Sequence, residues 1–277
     1  MTHWTEELFC KNPRLFLGAF QERLNKTHDE VVGLLNCLDE QGFQPKRVLD
    51  LNCGIGRHSI ELGKLGIEVL GTDLSADYIA IAKKMAEEED ITKKVHFKVV
   101  DMRQLASALC QEELFNGVIC LWTSFGFYDD ETNVRILKQC LSLVKEGGFF
   151  ALEIVNRDWI VQNFQEQGFT RWQDWIVLEE RYFNLINSRS YNTWTFLEQR
   201  DKETYILDKV INLDHRIWSL HELIDLFERA GWVFKAAYPG LLPGAVEAES
   251  DFSVQSEEIM QSRMLLIIGY RQKGGTK

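Results

Sequence analysis

The stretch Arg47-Val48-Leu49-Asp50-Leu51-Asn52-Cys53-Gly54-Ile55-Gly56-Arg57-His58 decides the fold. Val48, Leu49 and Leu51 form the short apolar run expected of a strand buried in a parallel sheet. Asp50 stands at its exit, and Gly54 and Gly56 let the backbone turn sharply and approach a ligand with no Cβ in the way. Ile60, Leu62, Leu65 and Ile67 then follow a helix-then-strand rhythm. Strand, glycine turn and helix make the first half of a nucleotide-binding βαβ unit. A dinucleotide fingerprint, G-x-G-x-x-G, is not what the turn spells. Asn52, Gly54 and Arg57 occupy its glycine positions, so one glycine of three is in place.

Two further strands end in acids. Gly66 to Asp73 closes on a carboxylate suited to the two hydroxyls of a ribose, while Ser75 is placed to cap the helix that follows. The competing reading makes Asp73 that cap. Val95 to Val100 ends at Asp101-Met102, so Asp50, Asp73 and Asp101 would line the carboxyl edge of one sheet, where ligands bind. A fourth strand, Phe115 to Trp122, exits into the aromatic loop Thr123-Ser124-Phe125-Gly126-Phe127-Tyr128. A helix over 131–144 leads through Lys145-Glu146-Gly147-Gly148, read as a turn, into a fifth strand over 149–156.

The pattern D-x-x-x-G-x-G over Asp50, Gly54 and Gly56 resembles the first motif of class I S-adenosylmethionine-dependent methyltransferases. The resemblance runs motif by motif over 46–156 and by order of elements over 219–271. It implies S-adenosyl-L-methionine as cofactor, a Rossmann-like doubly wound α/β sheet of seven strands, and an antiparallel last strand. Carried over, it implies a cofactor site of Asp50, Asn52, Gly54, Gly56, Asp73, Leu74, Asp101, Met102 and Leu121. In this reading Gly54 and Gly56 approach the methionine part, Asp50 orients its amino group or a water, and Asp73 holds the ribose. Asp101 accepts the adenine amino group, and Met102 packs on the ring or fills core.

Outside that core, residues 1–45 read as an N-terminal helical cap, with Leu15, Phe16, Ala19, Phe20 and Leu24 at helical spacing. They either extend the sheet packing or cover the cofactor mouth, with Trp4, Phe9 or Phe16 near the substrate. From 157 to 217 strand-like runs follow one another, over 176–183, 191–199 and 205–213, as in an antiparallel β insertion on the substrate side. Residues 218–277 complete the α/β core, beginning at the capping-box pair Ser219 and Glu222. The long stretch 239–262 suggests a functional lid or partial disorder. Exposed edges of the insertion would need covering, which points to a homodimer contact.

Composition narrows the function. The chain has 277 residues and a net charge of −11, which disfavours a nucleic-acid partner because phosphates would be repelled. Six cysteines without C-x-x-C spacing read as free thiols in a cytoplasmic protein, and no paired Cys/His cluster argues for a metal. No basic-then-apolar leader and no run long enough to span a bilayer are expected. Trp122, Phe125, Phe127 and Tyr128 would offer π faces near a sulfonium, with Phe125 expected in the core. Trp122, Tyr128 and His215 are the candidate catalytic residues, with Arg157 and Trp218 also on the expected substrate face; His215 is the candidate base. The expected activity is methyl transfer to an N or O nucleophile of a small molecule. The alternatives are a protein or peptide side chain as acceptor, a non-catalytic nucleotide-binding relative, or a nicotinamide oxidoreductase.

Overall fold

A computed structural model describes residues 2–241 and 258–274. Among the described residues, eleven strands form two sheets. Strands β1 (Arg47–Leu51), β2 (Glu68–Asp73), β3 (Val95–Val99), β4 (Phe115–Cys120) and β5 (Val144–Val155) come first. Strands β6 (Gln167–Trp172), β7 (Trp175–Asn184), β8 (Arg189–Gln199) and β9 (Tyr205–Arg216) follow, then β10 (Val233–Tyr238) and β11 (Met264–Tyr270). The larger sheet has the order β10-β11-β5-β4-β1-β2-β3. Strands β1 to β5 pair in parallel, and β11 runs antiparallel to both β5 and β10.

Alternation along the strands sorts their apolar residues onto two cores. Leu49, Leu51, Cys120 and Leu152 pack with α5 (Asp130–Leu143) and α6 (Leu220–Arg229). Val48, Ile119, Leu121 and Ala151 pack with α2 (Thr27–Glu40), α3 (Arg57–Lys64) and α4 (Ala76–Glu88). Each fully buried Val or Leu contributes about 1.5–3 kcal/mol, which is why strands buried on both faces read as continuous apolar runs. The strand order reverses beside β1, so the carboxyl ends of β1 and β4 open a crevice at a topological switch point.

Two elements differ from expectation. Lys145 to Gly148 is not a turn before β5 but a bulge within it: pairing jumps from Phe115–Val144 to Gly117–Phe149. Gly147 takes φ +77° there, and Gly147 N–H and Gly148 C=O bond to Arg271. The insertion holds four strands rather than three. Its added edge strand, β6, has the sequence QGFTRW, too polar and too short to show alternation.

The inner face of the second sheet, with Trp175, Val177, Phe196, Ile211 and Leu213, closes on Leu8 and Leu15 of the N-terminal segment. That segment comprises a π-helical turn, Glu6–Lys11, and α1 (Arg14–Arg23). The N-terminal residues divide between both expected placements: α2 packs Val31, Leu34 and Leu38 on the core sheet, whereas residues before it lie across the carboxyl edge. Among the described residues, no helix is long and apolar enough to cross a membrane. Of the stretch 239–262, residues 242–257 lie outside the described residues.

Candidate active site

The glycine turn and Asp73 form one unit. Asn52 and Gly54 take φ +57° and +56°, and Gly56 caps α3 at φ +77°. A left-handed conformation is routine for Gly and tolerated by Asn. The Gly54 N–H donates to Asp73 Oδ2 at 2.9 Å, and the Ser75 N–H donates to Oδ1 at 2.8 Å. Ser75 caps α4, its hydroxyl accepting from Tyr78 N–H at 3.4 Å. Asp73 is therefore not the cap, and its carboxylate ties the end of β2 to the turn after β1. Burial pushes its pKa up to about 6, against the pull of the Ser75, Gly54 and Leu74 N–H groups. Each oxygen holds one N–H and retains a lone pair for a second donor.

The other expected cofactor residues divide. Asp50 is buried against α3, where it accepts from Ser59 Oγ at 2.6 Å, and burial raises its pKa to about 7. Asn52 Nδ2 donates to Ser124 C=O at 2.7 Å and so links the loops after β1 and β4. Met102 is buried core, with its sulfur 3.1 Å from the same Asn52 nitrogen. Asp101 stands at the edge as expected, but Arg103 engages both its oxygens and holds its pKa down against burial. Leu121 is buried in the α2–α4 core, and the Leu74 C=O accepts from Cys10 Sγ at 3.7 Å.

Aromatic side chains from the N-terminal segment roof this edge. A Cβ on Gly54 would lie 2.8 Å from the Phe20 ring. Phe20 also meets Tyr78 and Trp122 at centroid distances of 5.1 and 5.6 Å, and Phe16 meets Trp122 at 5.9 Å. Trp4 packs edge-on to Phe127 at 5.0 Å and donates its indole N–H to Asp214 C=O.

Trp122, Tyr128 and His215 occupy three different neighbourhoods. Trp122 and Thr123 sit at φ +55° and +59°, a strained pair for non-glycine residues, and the indole lies near Arg23 and Arg57. Tyr128 is buried between His3, 4.8 Å away, and Arg103, whose guanidinium lies 4.8 Å from its ring; burial raises the phenol's pKa. His215 shares a strand face with Ile211 and Leu213, beneath the N-terminal segment. Burial and then Arg189 bring its pKa down to about 4, making it a far weaker base than an ordinary histidine. Trp218 is not a substrate contact: it is 1% exposed and packs on Phe125, which is core as expected. Arg157 is engaged by Ser188 Oγ and Asp158.

The structure adds charges that sequence reasoning missed. Glu30 of α2 bonds Arg57 and, at 2.9 Å, His58, all three buried. Burial and Arg57 push the His58 pKa down to about 4; burial would raise that of Glu30, but His58 and Arg57 lower it. Among the described residues, no hydrogen-bond partner reaches the buried Arg57 Nη2. Glu153 of β5 is buried too, accepting from Trp122 N–H and Leu241 N–H, each at 3.2 Å. Burial and then Glu30 raise its pKa to about 7. Glu153, Trp122, Arg23, Glu30, Leu241 and Met264 help line a cavity of about 390 Å³. Among the described residues, no group of three His, Cys, Asp or Glu side chains is placed to hold a metal ion.

Comparison with known proteins bears on this edge of the sheet. The family described as "Methyltransferase domain" matches residues 48–148. A ubiquinone biosynthesis O-methyltransferase of Coxiella burnetii is 29% identical over 152 residues, 55% of this chain and 57% of that protein. A glycine/sarcosine N-methyltransferase of Aphanothece halophytica is 31% identical over 159 residues, 56% of each chain. The chain thus spans a little over half the length of these curated relatives. In fold it is similar to an S-adenosylmethionine-dependent methyltransferase of Clostridium acetobutylicum, with a TM-score of 0.70 at 15% identity over 88% of this chain and 92% of that one. The matched segment holds the glycine turn, Asp73 and Asp101 on a sheet with a reversed last strand, so residues 48–148 match a methyltransferase domain.

Proposed function

We propose that the protein transfers a methyl group from S-adenosyl-L-methionine to an N or O nucleophile of a small molecule. The observation that carries this reading is the Asp73–Gly54 unit at the switch point, within the segment that matches the methyltransferase family. The donor set fits an adenosine. A buried carboxylate with a free lone pair on each oxygen suits a vicinal diol, and glycines in left-handed conformations permit close backbone approach. The cofactor would supply a methyl already activated on a sulfonium. The chain's part is to bind, align and exclude water, and alignment alone can supply roughly 7–11 kcal/mol of the barrier. Asp73 would hold the ribose, Asn52 would fix the two loops, and the Phe16–Phe20 roof would keep solvent from the methyl. Asp101 would share its carboxylate between Arg103 and the adenine amino group.

Thermal unfolding with S-adenosylhomocysteine, S-adenosylmethionine and NAD side by side tests the reading. A ligand at 100 times its Kd stabilises by about 2.7 kcal/mol, a Tm rise of roughly 5–10 °C for a chain of this size. A rise with both adenosyl ligands and none with NAD is expected. No rise with either adenosyl ligand refutes the proposal.

A further inference from the structure

Glu153 is the buried acid that the cofactor reading leaves without a task. It lies on β5 one residue past Leu152, which pairs with Cys120, so it stands level with Leu121 at the carboxyl edge. Only β4 separates β5 from β1, and strands lie about 4.8 Å apart, so roughly 10 Å divides Glu153 from the glycine turn. The 390 Å³ cavity that it lines falls in the size range of small-molecule sites. Among the described residues, no Lys, Arg or His forms an ion pair with Glu153, whereas Glu30 on the same wall already has Arg57, His58 and Arg23. Its two backbone contacts are long, at 3.2 Å, and leave lone pairs on both oxygens. Arg23 and Arg263 also line the cavity, but Arg23 pairs with Glu30 and neither pairs with Glu153, and a buried carboxylate left without an ion pair is costly unless a cation reaches it.

We propose that this cavity is the acceptor site and that it takes a small primary or secondary amine, with Glu153 holding the nitrogen beside Trp122. The proposal rests on the methyltransferase reading above. The substrate ammonium gives a proton to Glu153, and the freed nitrogen lone pair attacks the donor methyl. The new N–C bond forms as the C–S bond breaks, and sulfur keeps the electron pair as a neutral thioether. The proton on the carboxyl passes to solvent. The groups facing Glu153 suit this exchange: Glu30 from α2 and the surrounding burial raise its proton affinity, while Arg57 from α3 and the N–H groups of Trp122 and Leu241 lower it, leaving it poised near neutrality. Trp122, held at φ +55° by the loop it shares with Thr123, donates its own backbone N–H to this carboxylate.

The test uses the full chain with benzylamine as probe and benzyl alcohol as its neutral counterpart, each titrated with and without S-adenosylhomocysteine. Benzylamine is expected to bind at least about tenfold more tightly than the alcohol. Glu153→Gln should abolish that preference while leaving S-adenosylhomocysteine affinity within about twofold. Met264→Trp, which fills the cavity from β11, should block both probes. Equal affinity for amine and alcohol, no binding of either, or an amine preference that survives Glu153→Gln overturns the proposal. Failure of S-adenosylhomocysteine to bind wild type is read separately and falls on the cofactor assignment, because the amine titration without it still reports on Glu153.

Discussion

Asp73→Asn separates what the carboxylate does for the fold from what it does for a ligand. The native group is buried, and its pKa of about 6 against an ordinary 3.8 makes its charged form cost about 3 kcal/mol at neutral pH. A raised carboxyl pKa means that the native state holds the proton more tightly than the unfolded chain. Wild-type stability therefore falls as pH rises from about 4 to about 6, then levels. The asparagine variant has no such slope from this residue. Between pH 5 and 8 the stability gap between the two proteins should move by about 1.5 kcal/mol in favour of the variant, or roughly 3–6 °C in relative Tm. A pH-independent offset lies beneath it. Asparagine has one acceptor oxygen for two backbone donors, so its amide nitrogen meets the N–H of Gly54 or Ser75, a cost of about 1–3 kcal/mol. Calorimetry with S-adenosylhomocysteine gives the second readout: losing a hydrogen bond to a charged acceptor, about 1.5–3 kcal/mol, should weaken binding roughly 10- to 150-fold. A stability gap that stays constant from pH 5 to 8 refutes the burial argument, and unchanged affinity refutes the ribose role.

Two other perturbations test the frame around the site. Gly56→Ala would force a left-handed φ of +77° on alanine and set its Cβ 2.6 Å from Phe97 and 2.9 Å from Ala82, so a loss of roughly 2–5 kcal/mol is expected in denaturant unfolding; a change below about 0.5 kcal/mol contradicts it. His58→Gln keeps a donor for Glu30 but removes a group that the fold holds neutral, with a pKa of about 4. A lowered histidine pKa means that the unfolded chain binds the proton first, so wild type loses stability as pH falls from about 6.5 to 4. The variant should be spared about 2 kcal/mol of that loss between pH 7 and 5, and parallel pH profiles for the two proteins would overturn it.

The parts of this site that sequence reveals are those whose chemistry is local. Asp73 is legible because a carboxylate at a strand end, one turn from a helix cap, has few other uses, and the glycine turn is legible because left-handed backbone leaves its mark on residue type. Asp50 follows the same pattern and yet is buried against α3, because Ser59, in the first turn of that helix, offers its hydroxyl there. Trp218 misleads for a related reason: an aromatic residue at a loop edge has the same sequence appearance whether it faces solvent or Phe125.

Glu153 shows where local reasoning ends. It stands at a strand end, as Asp73 does, but inside the run Phe149-Phe150-Ala151-Leu152-Glu153-Ile154-Val155, where neighbouring residues suggest only a buried strand. A charged residue in so apolar a run was the available signal, since burying an unpaired carboxylate is costly. Its meaning depends on four distant segments. Leu241 and Trp122 supply its backbone donors, α2 brings Glu30, and Met264 completes the cavity wall. Glu30 likewise reaches Arg57 and His58 across 27 and 28 residues. Net charge averages such groups away. The molecule's −11 is a sum over the whole chain, whereas the surroundings of a buried carboxylate such as Glu153 are set by the few groups that the fold brings to it.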